Sequence, residues 1–226
     1  VVEFPKSGIT WLCTLLANMA LRESGSLREV TFYNVQNLIP DVHMCKAQNI
    51  GESMLPTIGQ RLIKSHSYHN PLYQNCIYLV RHPVSVMNSY YRYLNMHPDY
   101  QISEKTILSD RRQGVPAWKR HVNGWLRSTD QSRRLHLIRY EDLVSDTVGQ
   151  LQNLTKNLGW PITQESIDAA VSRSLPGEMK DSENLYKKHN PRYYLNFVKS
   201  GSVDLKETSK ELIRHECQKE LELLGY

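Results

Sequence analysis

The sequence predicts an α/β fold in which a central parallel sheet is flanked by helices. Three observations carry that expectation. Short β-rich runs alternate along the chain with segments of helical period, the pattern of strand–helix–strand crossovers. One run, Cys76-Ile77-Tyr78-Leu79-Val80, is apolar without alternation, as suits a strand covered on both faces. Lys6, His66, Arg81 and Tyr140 all fall at or just past the ends of predicted strands, the edge at which open α/β sheets bind ligands.

Taken in order, Val1, Val2 and Phe4 end a short buried strand, which Pro5 stops. From Thr10 the pattern is helical, with Trp11, Leu12, Leu15, Leu16 and Met19 at helix spacing. Val30-Thr31-Phe32-Tyr33 reads as a short strand and residues 34–60 as loop with a short helix. Arg61-Leu62-Ile63-Lys64 is strand-like and runs into Ser65-His66, with a turn at Asn70-Pro71. Beyond Val80, Pro83 opens a helix that carries Val86, Tyr90, Tyr93 and Leu94. Residues 97–114 are polar and expected to be irregular. Val115 to Leu126 is helical, with Trp118, Val122, Trp125 and Leu126 on one face. Leu135 to Tyr140 is a strand, followed by helices around 145–158 and 163–173. Residues 175–204, rich in Pro, Gly, Asn, Lys and Tyr, read as a long loop, and the last helix runs over about 208–224.

The 226 residues suit one domain over 1–226, with a hydrophobic content of 40% and a charged content of 23% that are ordinary for a soluble globular chain. The net charge of +5 suits an anionic ligand, but the basic residues are dispersed, and no run reads as a nucleic-acid arm. Cys13, Cys45, Cys76 and Cys217 are far apart, without CxxC or metal-ligand spacing, which points to reduced thiols and a cytoplasmic location. No membrane-length apolar run and no signal-peptide pattern is present. The chain opens directly on the strand that feeds the first turn, which leaves room for a further segment before it.

The chemistry concentrates in Phe4-Pro5-Lys6-Ser7-Gly8-Ile9-Thr10-Trp11. A strand, a Lys/Ser/Gly turn and a helix start build a phosphate cradle. Backbone N–H groups at the helix start face an anion, the dipole favours it, and Lys6, Ser7 and Thr10 add a charge and two hydroxyls. The bland reading is an ordinary strand-to-helix turn with a capping hydroxyl. The turn is not GxxxxGK[ST], because its Lys precedes its Gly, so ATP and GTP are not its obvious owners. Arg81-His82-Pro83, with Ser89 eight residues after the Arg, supplies a second anion point, since a guanidinium matches a phosphate with parallel hydrogen bonds. His66 follows Lys64 at a strand end, and a neutral imidazole with a pKa of about 6.5 can take a proton near neutral pH.

FPKSGITWL resembles the PKSGTTW loop of the PAPS-dependent sulfotransferases, the cytosolic type and its bacterial relatives; PAPS is 3′-phosphoadenosine 5′-phosphosulfate. Arg61-Leu62-Ile63-Lys64-Ser65-His66 resembles the family's R-L-I-K-T-H. Arg81 through Ser89-Tyr90-Tyr91 resembles its Arg-to-Ser-Tyr-Tyr segment. Trp118 to Trp125 resembles W-x-x-H-V-x-x-W, and Leu137 to Leu143 resembles L-x-x-Y-E-D-M. Phe197-Val198-Lys199-Ser200-Gly201 is aligned with F-x-R-K-G, with Lys199 in the Arg place and Ser200 in the Lys place. Ile9 stands where the family has the first of two threonines, the loss of a hydroxyl bond worth about 1 kcal/mol.

The resemblance implies a P-loop-like nucleotide-binding fold of the sulfotransferase type and sulfonate transfer from PAPS, with PAP (adenosine 3′,5′-bisphosphate) as product. It implies that Lys6, Ser7, Gly8, Ile9, Thr10 and Trp11 hold the 5′-phosphate end. Arg81 and Ser89 would hold the 3′-phosphate with Lys199, Ser200 and Gly201, and Tyr140 would touch the adenine. His66 is the implied general base, assisted by Lys6, Lys64 and Ser89, with no metal. The acceptor would be a hydroxyl or amine of a small molecule or sugar, and Tyr33, Tyr68, Tyr91, Tyr93 and Tyr186 are candidates to line its pocket. No nucleic-acid or membrane partner is implied, and the family's C-terminal dimer signature is not recognisable, which leaves the oligomeric state open. The alternatives are a nucleotide or small-molecule kinase with a degenerate loop, and a non-catalytic nucleotide-binding protein of the same fold.

Overall fold

A computed structural model describes residues 1–43, 55–96, 101–127, 134–191 and 204–226. Lys199, Ser200, Gly201 and Cys45 lie outside the described residues. The described residues fall into two compact units. The first takes its residues from Val1–Val2, Gly8–His66 and Glu141–Arg192, the second from Glu3–Ser7, Ser67–Tyr140 and Tyr193–Tyr226. Strand β1 (Val2–Glu3) is followed by α1 (Ile9–Glu23), β2 (Asn75–Val80), α2 (Pro83–Asn95), α3 (Glu104–Ser109), α4 (Val115–Leu126) and β3 (Arg134–Arg139). Six helices follow among the described residues: α5 (Tyr140–Ser145), α6 (Thr147–Leu158), α7 (Gln164–Arg173), α8 (Pro176–His189), α9 (Glu207–Glu216) and α10 (Gln218–Leu224). The strands form one sheet in the order β1-β2-β3, and β2 and β3 are parallel, in register from Asn75↔Arg134 to Val80↔Arg139. The α/β expectation holds.

In the first unit α1 is the core. Leu12, Cys13, Leu15, Leu16, Ala17 and Met19 are fully buried, so the helix is apolar around most of its circumference and packs against α7. At its end the Glu23 carboxylate accepts hydrogen bonds from the Thr163 N–H and hydroxyl, both at 2.8 Å, and the Thr163 N–H holds its pKa below the ordinary value. Val30 to Tyr33 is not a strand. Asn18 of α1 donates to the Val30 carbonyl and accepts from its N–H, both at 3.0 Å, so a side-chain amide replaces a neighbouring strand for a buried residue. Arg61 to Lys64 forms no ladder either: single parallel bridges join Ser65 to Val2 and Lys64 to Asp41. Residues 176–189, read as loop, are helical. Pro176 sits in the first turn, Glu183 is fully buried with Lys180 at 2.6 Å and Lys187 at 4.0 Å, and Lys187, Lys188 and His189 complement the dipole at the end.

The second unit is built on β2, whose residues from Cys76 to Val80 are all buried. Trp118, His121, Val122 and Trp125 of α4 are buried, and the Tyr78 hydroxyl meets His121 Nδ1 at 3.0 Å. Burial, with Glu3 adding to it, pushes the Tyr78 phenol well above its ordinary range. Within the stretch expected to be irregular, α3 forms because Ser103 caps it through Thr106 N–H and Ile107 anchors it. Glu104 accepts from the Ser209 hydroxyl of α9. The final helix is two helices, α9 and α10, that meet at the buried Cys217. β3 ends at Arg139, so Tyr140 starts α5, and Glu141 and Asp142 stand in its first turn, where the dipole favours them. Cys13, Cys76 and Cys217 are free thiols.

Candidate active site

The first turn is closed by its own backbone. Ser7 N–H and the Ser7 hydroxyl both donate to the Phe4 carbonyl, at 3.2 and 2.8 Å. Ser7 is fully buried, and its hydroxyl is part of the turn's own bonding. Lys6 has φ 76° and Gly8 φ 110°, and Lys6 is the sole non-glycine residue with positive φ among the described residues. Gly8 tolerates that conformation without cost, whereas a lysine held there is strained by roughly 1–2 kcal/mol, as backbone at functional sites commonly is. α1 begins at Ile9 with Gly8 as its N-cap and no side-chain cap. The Trp11 and Leu12 N–H groups both donate to the Gly8 carbonyl, at 3.0 and 3.2 Å, which tightens the first turn, and the positive end of the helix dipole lies at this start. The Trp11 indole donates to the Ser174 carbonyl at 3.1 Å, and the Thr10 carbonyl accepts from the Thr14 hydroxyl.

The second unit gathers Lys6, Arg81 and Tyr140. Arg81, just past β2, donates to the Lys6 carbonyl at 3.3 Å, and its guanidinium carbon lies 4.2 Å from the centre of the Tyr140 ring. Its Nε is buried with no hydrogen-bond partner among the described residues. A buried guanidinium N–H left unmatched costs free energy unless something accepts from it, and an anion is the natural acceptor. The Lys6 ammonium lies 4.2 Å from the centre of the Tyr93 ring. Ser89, half-buried on α2, is four residues from Tyr93 and shares its helix face. His82 caps α2 by accepting from Val84 N–H, which fixes the helix that carries Ser89.

The first unit, taken by itself, holds Lys64 and His66. Lys64 Nζ is 3.2 Å and His66 Nε2 3.8 Å from the same oxygen, Oδ2 of Asp41. Asp41 is 2% exposed, and its other oxygen accepts from His43 N–H at 2.9 Å. His66 N–H donates to His43 Nε2 at 3.2 Å, and the two rings stack with centroids 6.1 Å apart. Sequence reasoning missed Asp41, whose one signal is a lone carboxylate in a stretch read as loop. Of the tyrosines named for an acceptor pocket, Tyr33 and Tyr186 stack at 3.7 Å in the first unit. In the second, Tyr68 lies under Arg120 at 4.5 Å and Tyr93 under Lys6. Among the described residues no three His, Cys, Asp or Glu side chains gather as a metal-binding group, and no helix is long and apolar enough to cross a membrane.

Sulfotransferase 1A1 of Rattus norvegicus is 25% identical over 196 residues, 80% of this chain and 66% of the relative. Cytosolic sulfotransferase 8 of Arabidopsis thaliana is 25% identical over 186 residues, 75% of this chain and 56% of the relative. The chain therefore spans about two thirds or less of the length of these relatives. The fold is shared with mouse sulfotransferase SULT7A1 complexed with PAP, at a TM-score of 0.62 and 17% identity over 97% of this chain and 82% of that one. It is shared also with retinol dehydratase in complex with androsterone and inactive cofactor PAP, at a TM-score of 0.66 and 14% identity over 97% of this chain and 79% of that one. The family model described as the sulfotransferase domain matches residues 1–219, which hold the turn, the Lys64–His66 segment and the Arg81–Ser89 segment alike, and the chain belongs to that family.

Proposed function

We propose that this chain is a single sulfotransferase domain over 1–226 that transfers a sulfonate group from PAPS to a hydroxyl or amine of a small-molecule or sugar acceptor, in the cytoplasm and without a metal. The observation that carries the reading is the Arg81 guanidinium: one N–H bonded to the Lys6 carbonyl, the flat face on Tyr140, and a buried Nε without a partner among the described residues. A 3′-phosphate is a fitting acceptor for that N–H, with Ser89 adding a hydroxyl and Lys199, Ser200 and Gly201 closing over it. The turn from Lys6 to Trp11 takes the 5′-phosphate. Tyr140 serves two ends, holding Arg81 and presenting an aromatic edge to the adenine.

In the transfer His66 takes the acceptor proton. The acceptor oxygen or nitrogen bonds to sulfur as the bond from sulfur to the 5′-phosphate oxygen breaks, and the electron pair stays on the phosphate. Lys6, with Lys64 and Ser89, stabilises the charge that grows there. Positioning and fixed positive charge suffice for such a step. The test is incubation with isotopically labelled PAPS and a panel of phenols, alcohols, amines and sugars, read by mass spectrometry. A labelled sulfonate on at least one acceptor, with stoichiometric PAP, is expected. PAPS turnover absent across the panel, with ATP and Mg²⁺ giving phosphorylated product, would replace this reading with a kinase.

A further inference from the structure

We propose that Asp41 is the positioning residue of the candidate base: its carboxylate holds the His66 ring and the Lys64 ammonium together and stabilises the imidazolium that forms when His66 takes the proton. The proposal rests on the reading of His66 as base. Its support is that Lys64 and His66 face one and the same oxygen of a buried carboxylate. Asp41 is almost fully buried, and a buried carboxylate is retained only when paired and hydrogen-bonded. Oδ1 is fixed by His43 N–H at 2.9 Å. Oδ2 then stands 3.2 Å from Lys64 Nζ and 3.8 Å from His66 Nε2. The backbone holds the same alignment, because Lys64 N–H donates to the Pro40 carbonyl and Val42 N–H to the Lys64 carbonyl, at 2.8 and 3.0 Å.

The distances divide the work. At 3.2 Å Lys64 is the standing partner of the carboxylate. At 3.8 Å His66 is within ion-pair reach but beyond a hydrogen bond, so a neutral ring gains little and a protonated ring gains much. That is differential stabilisation of the state formed in the transfer step. The proton leaves the acceptor O–H or N–H for the imidazole, and the electron pair it leaves behind forms the bond to sulfur. His43, stacked on His66 and bonded to its backbone N–H, limits ring and main-chain movement.

The test uses Asp41→Asn, His66→Ala and the double variant in the full chain. Asp41→Asn keeps an oxygen for His43 N–H and removes the charge. It is expected to lower kcat roughly tenfold to a hundredfold, the scale of partners that act through another residue, with little change in acceptor KM or PAP affinity. In the His66→Ala background the same substitution should cost less than about threefold, because its route of action is gone. An equal loss in both backgrounds would overturn the proposal. Asp41→Glu keeps the charge and should recover part of kcat; where Asp41→Asn does not fold, Asp41→Ser, which also removes the charge, carries the same cycle. A readout independent of turnover separates this proposal from the assigned reaction. In ¹H–¹⁵N spectra of the imidazoles, Asp41→Asn should move the His66 resonances and leave those of the buried His121 in place. Unmoved His66 resonances sink the role of Asp41 whether or not the chain transfers sulfonate, whereas moved resonances in a chain inert to PAPS sink the assigned reaction alone.

Discussion

Lys6 and His66 show how far single residues can be read from sequence. A lysine in a Ser/Gly turn and a histidine two residues after a lysine are residue types suited to binding phosphate and moving protons, and the roles proposed for them rest on that. His66→Ala is expected to lower turnover about a hundredfold or more, the usual size of a general-base contribution, with PAP binding nearly unchanged by calorimetry. Near-normal turnover at pH 7 and saturating substrate would remove His66 from the mechanism. What sequence could not show was the company these residues keep. The Tyr93 ring beneath Lys6 and the Asp41 carboxylate beside Lys64 arrive from segments distant in the chain, and spacing alone does not report such approach. The Ser7 hydroxyl donates to the Phe4 carbonyl, a bond within the turn that holds Lys6 at φ 76°.

At the scale of elements, the helices with one strong apolar stripe were legible. α4 begins and ends where its tryptophan spacing put it, and β2 follows its unbroken apolar run. The misread segments are those whose backbone or charge is satisfied by polar side chains rather than by an apolar face. Val30 to Tyr33 has strand-forming residues, yet Asn18 supplies both bonds that a neighbouring strand would have supplied to Val30. α8 is polar along its length, and the buried Glu183 with its lysines steadies it rather than an apolar face. The Val30 clamp is testable. Asn18→Ala leaves a buried N–H and a buried carbonyl without that partner, at about 1–3 kcal/mol each. For a chain of this size each kcal/mol lowers Tm by about 2–4 °C, so a fall of roughly 5–15 °C is expected by differential scanning calorimetry. A fall under a degree would show that water or a shifted backbone replaces the amide.

On the scale of the whole molecule, two properties follow from groups that neither motif nor period reveals. The first is alkaline sensitivity. Burial pushes the Cys217 thiol from an ordinary 9.0 up to about 12, and the Tyr90 phenol from 10.0 up to about 12. Each is an acid whose pKa is raised by folding, so the unfolded chain ionises first. The stability they confer is full below about pH 9 and is lost as pH rises toward 12. Tm should therefore hold steady up to about pH 8.5 and fall beyond it, and Cys217→Ala should make that fall shallower. The second property is the choice of nucleotide. The second unit sets Lys6 and Arg81 side by side through the Lys6 carbonyl. On the reading above, the Lys6 turn takes a 5′-phosphate and Arg81 with Ser89 a 3′-phosphate. PAP carries phosphates at both positions, whereas ADP carries both on one. PAP should raise Tm more than ADP at equal concentration, and a tenfold affinity gap, about 1.4 kcal/mol, is within reach of one charge-assisted contact. Arg81→Ala should shrink the gap by weakening PAP, since it removes the guanidinium whose Nε awaits an acceptor. Lys6→Ala should weaken both nucleotides, because both present a 5′-phosphate to the turn. Equal shifts with PAP and ADP in the unsubstituted chain would defeat the assignment of Arg81 and Ser89, and with it the case for PAPS as donor.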